Sequence, residues 1–368
     1  MGLGTDVFVI GGGPVGLAAA IATREKGFQV IVADGVTPPI DKACGEGLMP
    51  DTIAALRRLG VDVSDADGFA FRGIGFVEGK SSVYANFPNG HGIGVRRTVL
   101  HEKIAARAEA CGVSLLWNAS VTGISADGVL VKGGVVRAKW IIGADGSNSR
   151  VRKWAGLGAH REHQRRFAFR RHYQVNPWAD CMEIYWGANA QAYVTPVGKE
   201  EVCVAILSHK QGVHFEMALR EFPELASRLD RAQPAGADRG AITAMHSLER
   251  VSRGRVALIG DASGGVDAIT GDGLCLGFHQ ARALADALEA DNLAAYQAGH
   301  RRLAWRPTLM ARLLLLLDAQ PALRRRVLRA LSAGPDVFER LVAVHVGETS
   351  LSHLAATSAL LGWRFLAA

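Results

Sequence analysis

The chain has 368 residues, of which 49% are hydrophobic and 21% charged, and its formal net charge is +7. This length allows one large core or two domains that share one, and the composition is ordinary for a soluble globular protein. The basic residues are spread along the whole chain, so the charge does not predict a nucleic-acid partner.

The cysteines and the apolar segments argue against several classes of protein. An odd number of cysteines without a Cys-x-x-Cys pair predicts neither a disulfide framework nor a zinc site, and we predict no metal ligands. The first apolar run, from Val7, fits a strand better than a signal peptide. The most apolar helical stretch, Leu309 to Leu317, contains Arg312 and is too short to cross a bilayer. We therefore expect a reduced, cytoplasmic location. The cysteines are Cys44, Cys111, Cys181, Cys203 and Cys275.

The N-terminal segment predicts a strand, a glycine-rich turn, a helix and a second strand. Residues Val7 to Ile10 form a short, continuous apolar run, which is typical of a strand buried on both faces. Leu17 to Lys26 has a helical pattern that ends at Gly27, and Gln29 to Ala33 reads as the next strand. Together these elements predict a βαβ unit.

Periodicity predicts the remaining elements in chain order. A helix over Leu100 to Ala110 is followed by a hairpin, a buried strand, an alternating aromatic-rich segment, a second buried strand and a long helix. The rest of the chain is apolar and helical, and its dense arginines are predicted to lie on a solvated helix face. The predicted ranges are Ser120–Ile124 with Gly128–Val131, Trp140–Gly143, Phe167–Leu207, Val256–Ile259 and Leu274–Leu288, and the arginines are Arg324, Arg325, Arg326 and Arg329.

The turn Gly11-Gly12-Gly13-Pro14-Val15-Gly16 fits G-x-G-x-x-G between a strand and a helix. In that context Gly11 permits a tight turn, Gly13 lets a pyrophosphate approach the backbone, and Gly16 lets the helix pack on the strand. Free amides at the helix N-terminus then favour the negative charge. A carboxylate 23 residues after Gly11, Asp34, stands where the adenosine ribose hydroxyls would be bound. This segment predicts a dinucleotide site that includes Gly11, Gly13, Pro14, Val15, Gly16 and Asp34.

Two further segments indicate which dinucleotide it is. Gly143-Ala144-Asp145-Gly146-Ser147 and Gly260-Asp261-Ala262-Ser263, the latter followed by Thr270-Gly271-Asp272-Gly273-Leu274, occur in this order. With the first turn they resemble the FAD-dependent superfamily of para-hydroxybenzoate hydroxylase and the geranylgeranyl reductases. The resemblance covers roughly residues 5 to 290, and it implies that the cofactor is FAD.

The resemblance also implies roles for individual residues. It places Asp261 on the ribityl chain, Asp145 and Gly146 near the pyrophosphate, and Arg97 on the cofactor from the start of a helix. The helix that follows Gly271, Gly273 and Leu274 would direct its N-terminal amides at the flavin pyrimidine edge, where the reduced ring carries negative charge. The two glycines allow backbone contact with that ring.

The string Cys44-Gly45-Glu46-Gly47-Leu48 indicates a branch of this superfamily. It is similar to the Cys-Gly-x-Gly-Leu signature of geranylgeranyl reductases, which implies that Cys44 and Gly45 lie by the isoalloxazine ring. Two features depart from that branch. The substrate sheet carries Tyr193-Val194-Thr195-Pro196 without a tryptophan, and Ala268 stands in place of the usual proline.

The predicted fold is α/β. The resemblance implies a glutathione-reductase-like, Rossmann-type FAD-binding domain, an interposed antiparallel sheet as the substrate domain, and a C-terminal helical segment. We predict a discontinuous FAD-binding domain over residues 1–70, 94–155 and 245–295. The substrate domain would take residues 71–93 and 156–244, and the helical segment residues 296–368.

The predicted function is an FAD-dependent oxidoreductase that acts on a hydrophobic small molecule. A monooxygenase is preferred, in which NAD(P)H reduces the flavin and O₂ is consumed inside a dry pocket. A reductase of isolated C=C bonds and a non-catalytic flavin-binding protein remain open. No second glycine-rich βαβ unit provides an NAD(P)H domain, so the donor binds transiently or a partner supplies the electrons. The candidate catalytic residues are Cys44, Tyr193 and Asp267.

Two apolar segments near the C-terminus raise the question of a lipid surface. Leu309 to Leu317 and Leu351 to Leu361 are apolar on more than one helical face, and Trp363, Arg364 and Phe365 follow the second. They would cover the core or a dimer contact, or admit a lipophilic substrate from a membrane. We therefore expect a monomer or a homodimer, and peripheral membrane contact is the alternative to a core or dimer role for these segments.

Overall fold

The computed structural model describes residues 4–158 and 161–347, apart from the side chains of residues 161–164 and 244–246. In chain order the strands are β1 (Gly4–Ile10), β2 (Val30–Ala33), β3 (Gly47–Leu48), β4 (Phe69–Phe71), β5 (Gly73–Glu78), β6 (Ser81–Asn86), β7 (Gly92–Gly94), β8 (Ser114–Leu116), β9 (Val121–Ile124), β10 (Val129–Val131), β11 (Gly134–Gly143), β12 (Arg161–Gln174), β13 (Met182–Trp186), β14 (Ala190–Gly198), β15 (Glu201–Ser208), β16 (Gln233–Ser247), β17 (Ser252–Arg253) and β18 (Val256–Leu258).

Helices lie between and after these strands, and three short 3₁₀ turns occur at Asp65–Asp67, Gly260–Ser263 and Ala268–Thr270. The helices are α1 (Pro14–Glu25), α2 (Pro50–Arg57), α3 (Arg97–Ala110), α4 (Arg150–Trp154), α5 (Phe215–Leu219), α6 (Pro223–Leu229), α7 (Gly273–Glu289), α8 (Leu293–Ala319), α9 (Pro321–Ser332) and α10 (Pro335–His345).

The first sheet contains the predicted βαβ unit. Its strand order is β17-β18-β11-β1-β2-β8, in which β18, β11, β1, β2 and β8 run parallel. The central strands β1 and β2 are apolar and buried where they pair, since helices cover this parallel sheet. Strands β9 and β10 form the predicted hairpin, and β10 also pairs with β11. The parallel order brings the carboxyl ends of β1 and β11 to one edge, where the glycine-rich turn lies.

The second sheet is mainly antiparallel, in agreement with the alternating, aromatic-rich pattern. Its order is β16-β12-β15-β14-β13-β5-β6, and only the pair β13–β5 within it is parallel. Helices α5 and α6 pack on one face, and α8, α9 and α10 contribute to the apolar cluster on the other. A small third sheet has the strand order β3-β7-β4.

The sequence analysis placed the arginine-rich stretch of α9 on a solvated face, and for Arg324 that is wrong. Arg324 is buried, and its guanidinium donates two hydrogen bonds to Glu78 of β5, at 2.8 and 3.1 Å. The ring of Trp186 lies 5.4 Å from the same guanidinium. The periodicity of α9 could not reveal this, because the partners come from strands more than 130 residues earlier. Arg325, Arg326 and Arg329 are exposed as predicted.

The long helix α8 contains the apolar stretch Leu309 to Leu317. No helix among the described residues combines the length and the hydropathy needed to span a bilayer. The second apolar stretch, Leu351 to Leu361, lies outside the described residues.

Candidate active site

The glycine-rich turn joins β1 to α1 and leaves the first amides of α1 without a side-chain cap. Gly13 is the N-cap residue of α1, and no side chain accepts a hydrogen bond from the first amides of that helix. A Cβ on Gly13 would meet no atom within 4 Å, whereas a Cβ on Gly16 would lie 1.9 Å from the carbonyl oxygen of Gly11. Gly11 adopts φ +112°, which a residue with a side chain rarely adopts. The turn therefore leaves one open position beside free helix amides, which is the geometry of a phosphate site.

The second predicted segment reaches this turn through the sheet. The amide of Ala144, directly after β11, donates to the carbonyl of Ile10 at 2.8 Å. Gly146 is open at its Cβ position and has φ +79°. The carboxylate of Asp145, however, accepts the amides of Arg150 and Val151 at 2.7 and 3.1 Å at the start of α4. Asp145 thus shapes the loop, and Gly146 presents backbone at the open edge.

The third segment meets the turn at Val15. The side chain of Val15 lies against Gly260 and Gly277, so a Cβ on these glycines would approach it to 3.1 and 2.4 Å. Asp261, next to Gly260, is exposed. The ammonium of Lys42 lies 3.4 Å from its carboxylate. Three segments separated by more than 100 residues each therefore converge on one side of α1.

Asp34 and His101 hold the glycine-rich turn through hydrogen bonds to Gly12. The sequence analysis gave His101 no role. Asp34 accepts the amide of Gly12 at 2.7 Å and the amide of Val36 at 2.9 Å. His101 of α3 is fully buried and donates from Nε2 to the carbonyl of Gly12 at 2.9 Å. Burial lowers the pKa of His101, so the neutral ring serves as a donor. No local motif marks His101, because its partner lies 89 residues earlier.

The loop before α7, residues 267–272, is the segment that the resemblance assigns to the flavin, and we call it the flavin loop. Gly271 adopts the left-handed conformation at φ +72°, and a Cβ on Gly273 would meet nothing within 4 Å. Asp272 at the N-cap makes no capping hydrogen bond, so the first amides of α7 are uncovered. Leu274 follows in the first turn and packs partly against the main core.

These features test whether FAD fits. Gly13, Gly45, Gly146 and Gly273 all leave open space where a side chain would stand. The N-termini of α1 and α7, like those of most helices described, carry no side-chain cap. Arg97 opens α3, as the resemblance implies, and its Nε is buried without a hydrogen-bond partner among the described residues. Open backbone, uncapped amides and an unpaired guanidinium nitrogen suit an anionic dinucleotide, so the site fits FAD.

We expect Asp261→Ala to weaken FAD binding by roughly 10- to 100-fold. A carboxylate on a ribityl hydroxyl contributes about 1.5–3 kcal/mol as a charge-assisted hydrogen bond. Titration of the FAD-depleted protein with FAD, followed by flavin fluorescence, measures the affinity. Lys42→Ala is the matched control, since it removes the recorded neighbour of Asp261 and leaves the carboxylate in place. A loss well below tenfold in Asp261→Ala would place this residue away from the cofactor.

Glu46 organises the segment Cys44 to Leu48, and sequence reasoning gave it no role. Glu46 is buried with φ +58°, an uncommon conformation for a residue with a side chain. Its Oε1 accepts the amide of Arg97 at 3.0 Å, and its Oε2 lies 2.6 Å from Nε2 of His172. Its own carbonyl accepts the amide of Val95. One carboxylate thus joins the loop, the start of α3 and strand β12.

The chain of polar contacts continues to the surface through Arg170 and Asp41. Nη1 of Arg170 lies 2.9 Å from Nδ1 of His172, and Nη2 donates to Asp41. An arginine only donates hydrogen bonds, so Nδ1 of His172 is the acceptor and Nε2 carries the proton that is donated to Glu46. We call Glu46, His172, Arg170 and Asp41 the Glu46 cluster. It fixes the tautomer of His172 and the position of the loop.

The guanidinium of Arg170 already places a positive charge in the Glu46 cluster, where the ligand atoms would otherwise suit a metal ion. Ligand atoms of Glu46, His172 and Cys203 lie within 4.8 Å of one another, a spacing that a metal ion could bridge. Arg170 stands 3.9 Å from Oε1 of Glu46 and hydrogen-bonds to the far nitrogen of His172. Burial also raises the pKa of the Cys203 thiol well above its ordinary value. The guanidinium therefore supplies the counter-charge at this position.

A second buried cluster holds two of the candidate catalytic residues. Arg166 of β12 is fully buried and pairs with Asp267 at 3.2 Å and with Asp318 of α8 at 3.5 Å. Asp267 also accepts the amide of Ile269 at 2.9 Å. Tyr193 donates its hydroxyl to the carbonyl of Ile269 at 2.8 Å, and burial raises its pKa. Asp267 and Tyr193 both fasten the flavin loop to the second sheet.

The third candidate, Cys44, lies in the loop held by the Glu46 cluster. Its thiol is partly buried and accepts the amide of Glu46 at 3.4 Å, and its carbonyl accepts from the Cys203 thiol at 3.6 Å. Gly45 is fixed by the hydroxyl of Thr195, which donates to its carbonyl at 2.7 Å. The structure thus brings the Cys44 segment against the second sheet, on strands that also carry Tyr193.

Two small residues lie between the clusters on the inner face of the second sheet. Register places Arg170, Ala205 and Tyr193 side by side on strands β12, β15 and β14. Ala205 and Ala168 are partly accessible, although Arg170 and Tyr193 beside them are buried. Both alanines belong to the apolar cluster that also contains Val266 before the flavin loop. They form a shallow apolar floor bordered by the two polar clusters, which we call the alanine floor.

The pair Asp272 and His345 connects the flavin loop to α10. Asp272 is fully buried, and burial raises the pKa of its carboxyl to about 6. Its Oδ1 lies 3.4 Å from Nε2 of His345, which also lies 3.2 Å from the carbonyl of Thr270. A raised pKa means that the folded protein binds a proton more tightly than the unfolded chain between pH 4 and pH 6, so the carboxyl lowers stability as the pH rises through that window.

We expect Asp272→Asn to remove this pH dependence. Relative to the wild type, the variant should gain about 1 kcal/mol in unfolding free energy between pH 5 and pH 8, because its amide does not ionise. Urea unfolding at the two pH values measures the change, and Asp336→Asn on the exposed side of α10 is the control. Equal pH dependence in variant and wild type would show that Asp272 ionises normally.

The chain is similar to known proteins over most of its length. The family model described as "FAD binding domain" matches residues 4–304. The chain is 29% identical over 317 residues to the menaquinone reductase of Mycobacterium tuberculosis H37Rv, which covers 78% of each protein. It is 26% identical to the ubiquinone hydroxylase UbiL of Rhodospirillum rubrum, with 77% of this chain and 72% of the relative covered.

A solved structure shares the fold. The flavoprotein/dehydrogenase of Cytophaga hutchinsonii superposes with a TM-score of 0.80 at 20% identity, and 93% of this chain and 92% of that chain are covered. The mixed α/β fold described above is thus shared with a solved flavoprotein structure.

Proposed function

Because the chain belongs to the FAD-binding domain family and is an FAD-dependent oxidoreductase of hydrophobic substrates, we propose that it hydroxylates a lipophilic ring compound such as a quinone with an isoprenoid tail. FAD, once bound, supplies two-electron transfer and the reaction with O₂. The chain's own residues bind the substrate, orient it and exclude water.

The alanine floor carries this proposal. Ala168 and Ala205 present partly accessible apolar side chains on the face of the second sheet whose apolar cluster also includes Val266. A planar ring suits this floor, because small side chains permit close approach and neighbouring strands hold the floor rigid. The ubiquinone hydroxylase among the relatives is named for such a substrate. A long tail would extend along the apolar cluster shared with α8.

The bonds made by the candidate acids favour hydroxylation over double-bond reduction. Reduction of an isolated C=C bond requires an acid that protonates carbon. The hydroxyl proton of Tyr193 is donated to Ile269, and Asp267 is paired with Arg166. We propose that Tyr193 and Asp267 position the flavin loop. We also propose that NAD(P)H approaches the flavin transiently, because the sequence contains one glycine-rich βαβ unit and this unit is assigned to FAD.

The second candidate function is reduction of a C=C bond in a prenyl chain. The thiol of Cys44 favours this reduction, because Cys44 is partly accessible and its thiol donates no hydrogen bond to the described residues. The menaquinone reductase among the relatives is likewise named for a reduction. In that reaction the Cys44 thiol would deliver the proton to carbon while the bound cofactor supplies the hydride.

We propose that residues 1–70, 94–155 and 245–295 form a glutathione-reductase-like FAD-binding domain of Rossmann type. Residues 71–93 and 156–244 would form the substrate domain, which is supported by the membership of β5 and β6 in the same sheet as β12 to β16. Residues 296–368 would form the C-terminal segment.

Oxygen dependence separates the two functions. Purified protein is incubated with NADPH and ubiquinone or menaquinone analogues of short tail length, with and without O₂. The hydroxylase proposal predicts one O₂ consumed per hydroxylated product and incorporation of ¹⁸O from labelled O₂. Product formed anaerobically, two hydrogens heavier and without ¹⁸O, would overturn it and support the reductase.

The variant Cys44→Ser sharpens this test. A hydroxylase should keep turnover within about threefold, since the hydroxyl group fills the same space and no thiol proton is needed. A reductase that uses the thiol should lose on the order of 100-fold, the typical contribution of a positioned general acid. Cys111→Ser, at the end of α3 and remote from the loop, is the matched control.

A further inference from the structure

Helix α8 has two opposite faces. Tyr296, His300, Ala311 and Asp318 are buried, and they fall on one side of a helix with 3.6 residues per turn. On the opposite side Trp305, Leu313 and Leu316 are 51%, 44% and 49% exposed. Leu309 is partly exposed on that same side, between Trp305 and Leu313. Exposed tryptophan and leucines in one stripe are unusual for a surface that only faces water.

The charge around this stripe has one sign. Arg301, Arg302 and Arg312 are exposed on the same side of α8, and Arg325 and Arg329 are exposed on α9. Between residues 293 and 334 the sequence contains one acidic residue, Asp318, and this residue is buried and paired with Arg166. The stripe and its rim therefore combine apolar side chains with a net positive charge from this part of the sequence, and Arg301 also donates a hydrogen bond to the carbonyl of Glu249 at 3.0 Å. We call the exposed residues Arg301, Arg302, Trp305, Leu309, Arg312, Leu313 and Leu316 the α8 outer face.

We propose that the α8 outer face docks on an anionic lipid surface. A helix that lies in a membrane interface carries leucine and an aromatic residue on one side and arginines at its border, which pair with lipid phosphates. The exposed stripe from Trp305 to Leu316 is about 16 Å long at 1.5 Å per residue, so α8 would lie flat on the bilayer. A protein partner of ordinary composition would also bring positive charges, which this rim does not complement.

The inner side of α8 connects the docking to the proposed substrate site. Leu314 and Leu315 pack against the apolar cluster that contains Ala168, Ala205 and Val266. A lipophilic tail that leaves the bilayer beside α8 would therefore meet apolar side chains continuously toward the alanine floor. This connection depends on the proposed function, whereas the docking itself depends only on the outer face.

Vesicle cosedimentation tests the proposal with the full-length, FAD-loaded protein. We expect binding to vesicles of phosphatidylcholine with 30% phosphatidylglycerol, and binding at least about tenfold weaker to pure phosphatidylcholine, because each arginine near an anionic surface adds affinity. Raising the salt concentration from 0.1 to 0.5 M should weaken the binding. Equal binding to both vesicles, or binding to neither, would overturn the proposal.

Two double variants separate the charge from the apolar contribution. Arg302→Glu with Arg312→Glu, and Trp305→Ser with Leu316→Ser, should each lower anionic-vesicle affinity by about tenfold or more. Met217→Ser with Arg220→Glu is the matched control, since both residues are exposed on α5 at the other face of the second sheet. Unchanged affinity in both test variants would place the lipid contact elsewhere and overturn the assignment.

Other occupants of the face give distinct results. If a second copy covers it, light scattering will show a wild-type dimer that the test variants convert to monomer, without vesicle binding. Flavin content and turnover of a water-soluble, short-tailed quinone are measured on the same samples. Loss of vesicle binding with both quantities unchanged supports docking, and a failure of turnover in the wild type would count against the proposed function alone.

Discussion

A Gly13→Val variant is expected to fold and to hold no FAD. The position where a Cβ would stand at Gly13 has no neighbour within 4 Å, so the apoprotein accommodates the side chain. The same space lies at the uncapped N-terminus of α1, where the pyrophosphate would be bound. A branched side chain there excludes the phosphate oxygens from the amides, and we expect FAD affinity to fall by 1000-fold or more.

Flavin absorbance per chain after purification measures this effect, and circular dichroism reports the fold. Gly4→Val is the matched control, because Gly4 is equally open but lies at the far end of β1. Gly16→Val provides the contrast: its Cβ would lie 1.9 Å from a carbonyl oxygen, so this variant should misfold. A Gly13→Val protein with normal flavin content would show that the dinucleotide does not cross this turn.

Glu46→Ala is expected to destabilise the protein by about 3–5 kcal/mol and to weaken FAD binding. The substitution leaves the amide of Arg97, Nε2–H of His172 and the guanidinium of Arg170 buried without their common acceptor. Removing one partner of a buried charged network costs roughly this amount. Both residues have a Cβ, so the positive φ at position 46 contributes little to the difference.

Urea unfolding with and without excess FAD separates the two effects. Glu102→Ala, an exposed glutamate on α3, is the control and should change stability by less than about 0.5 kcal/mol. In a double-mutant cycle with His172→Ala, the coupling energy should exceed about 1 kcal/mol, because the two side chains share one hydrogen bond. Additive effects, or a loss below 1 kcal/mol in Glu46→Ala, would refute the role given to this cluster.

The sequence by itself determined the cofactor segments and the main elements around them. A buried strand, a helix with small residues and a turn in which Gly11 adopts a positive φ and Gly16 has no room for a side chain are local requirements, and a single segment displays all of them. The alternating pattern from Phe167 to Leu207 likewise predicts an antiparallel sheet, because the two faces of a strand alternate along the chain. Such signals depend on neighbours in sequence.

Tertiary structure decided what the buried polar residues do. Glu46, His101, Arg166 and His172 carry no local signal, since each finds its partner 50 or more residues away. The same holds for Arg324 of α9, whose helix pattern suggested exposure to solvent and whose partner Glu78 lies at the end of strand β5. Periodicity reports which face of an element is apolar, but only packing brings a distant carboxylate to a buried cation. The cost of burying an unpaired charge is then what makes those pairings definite.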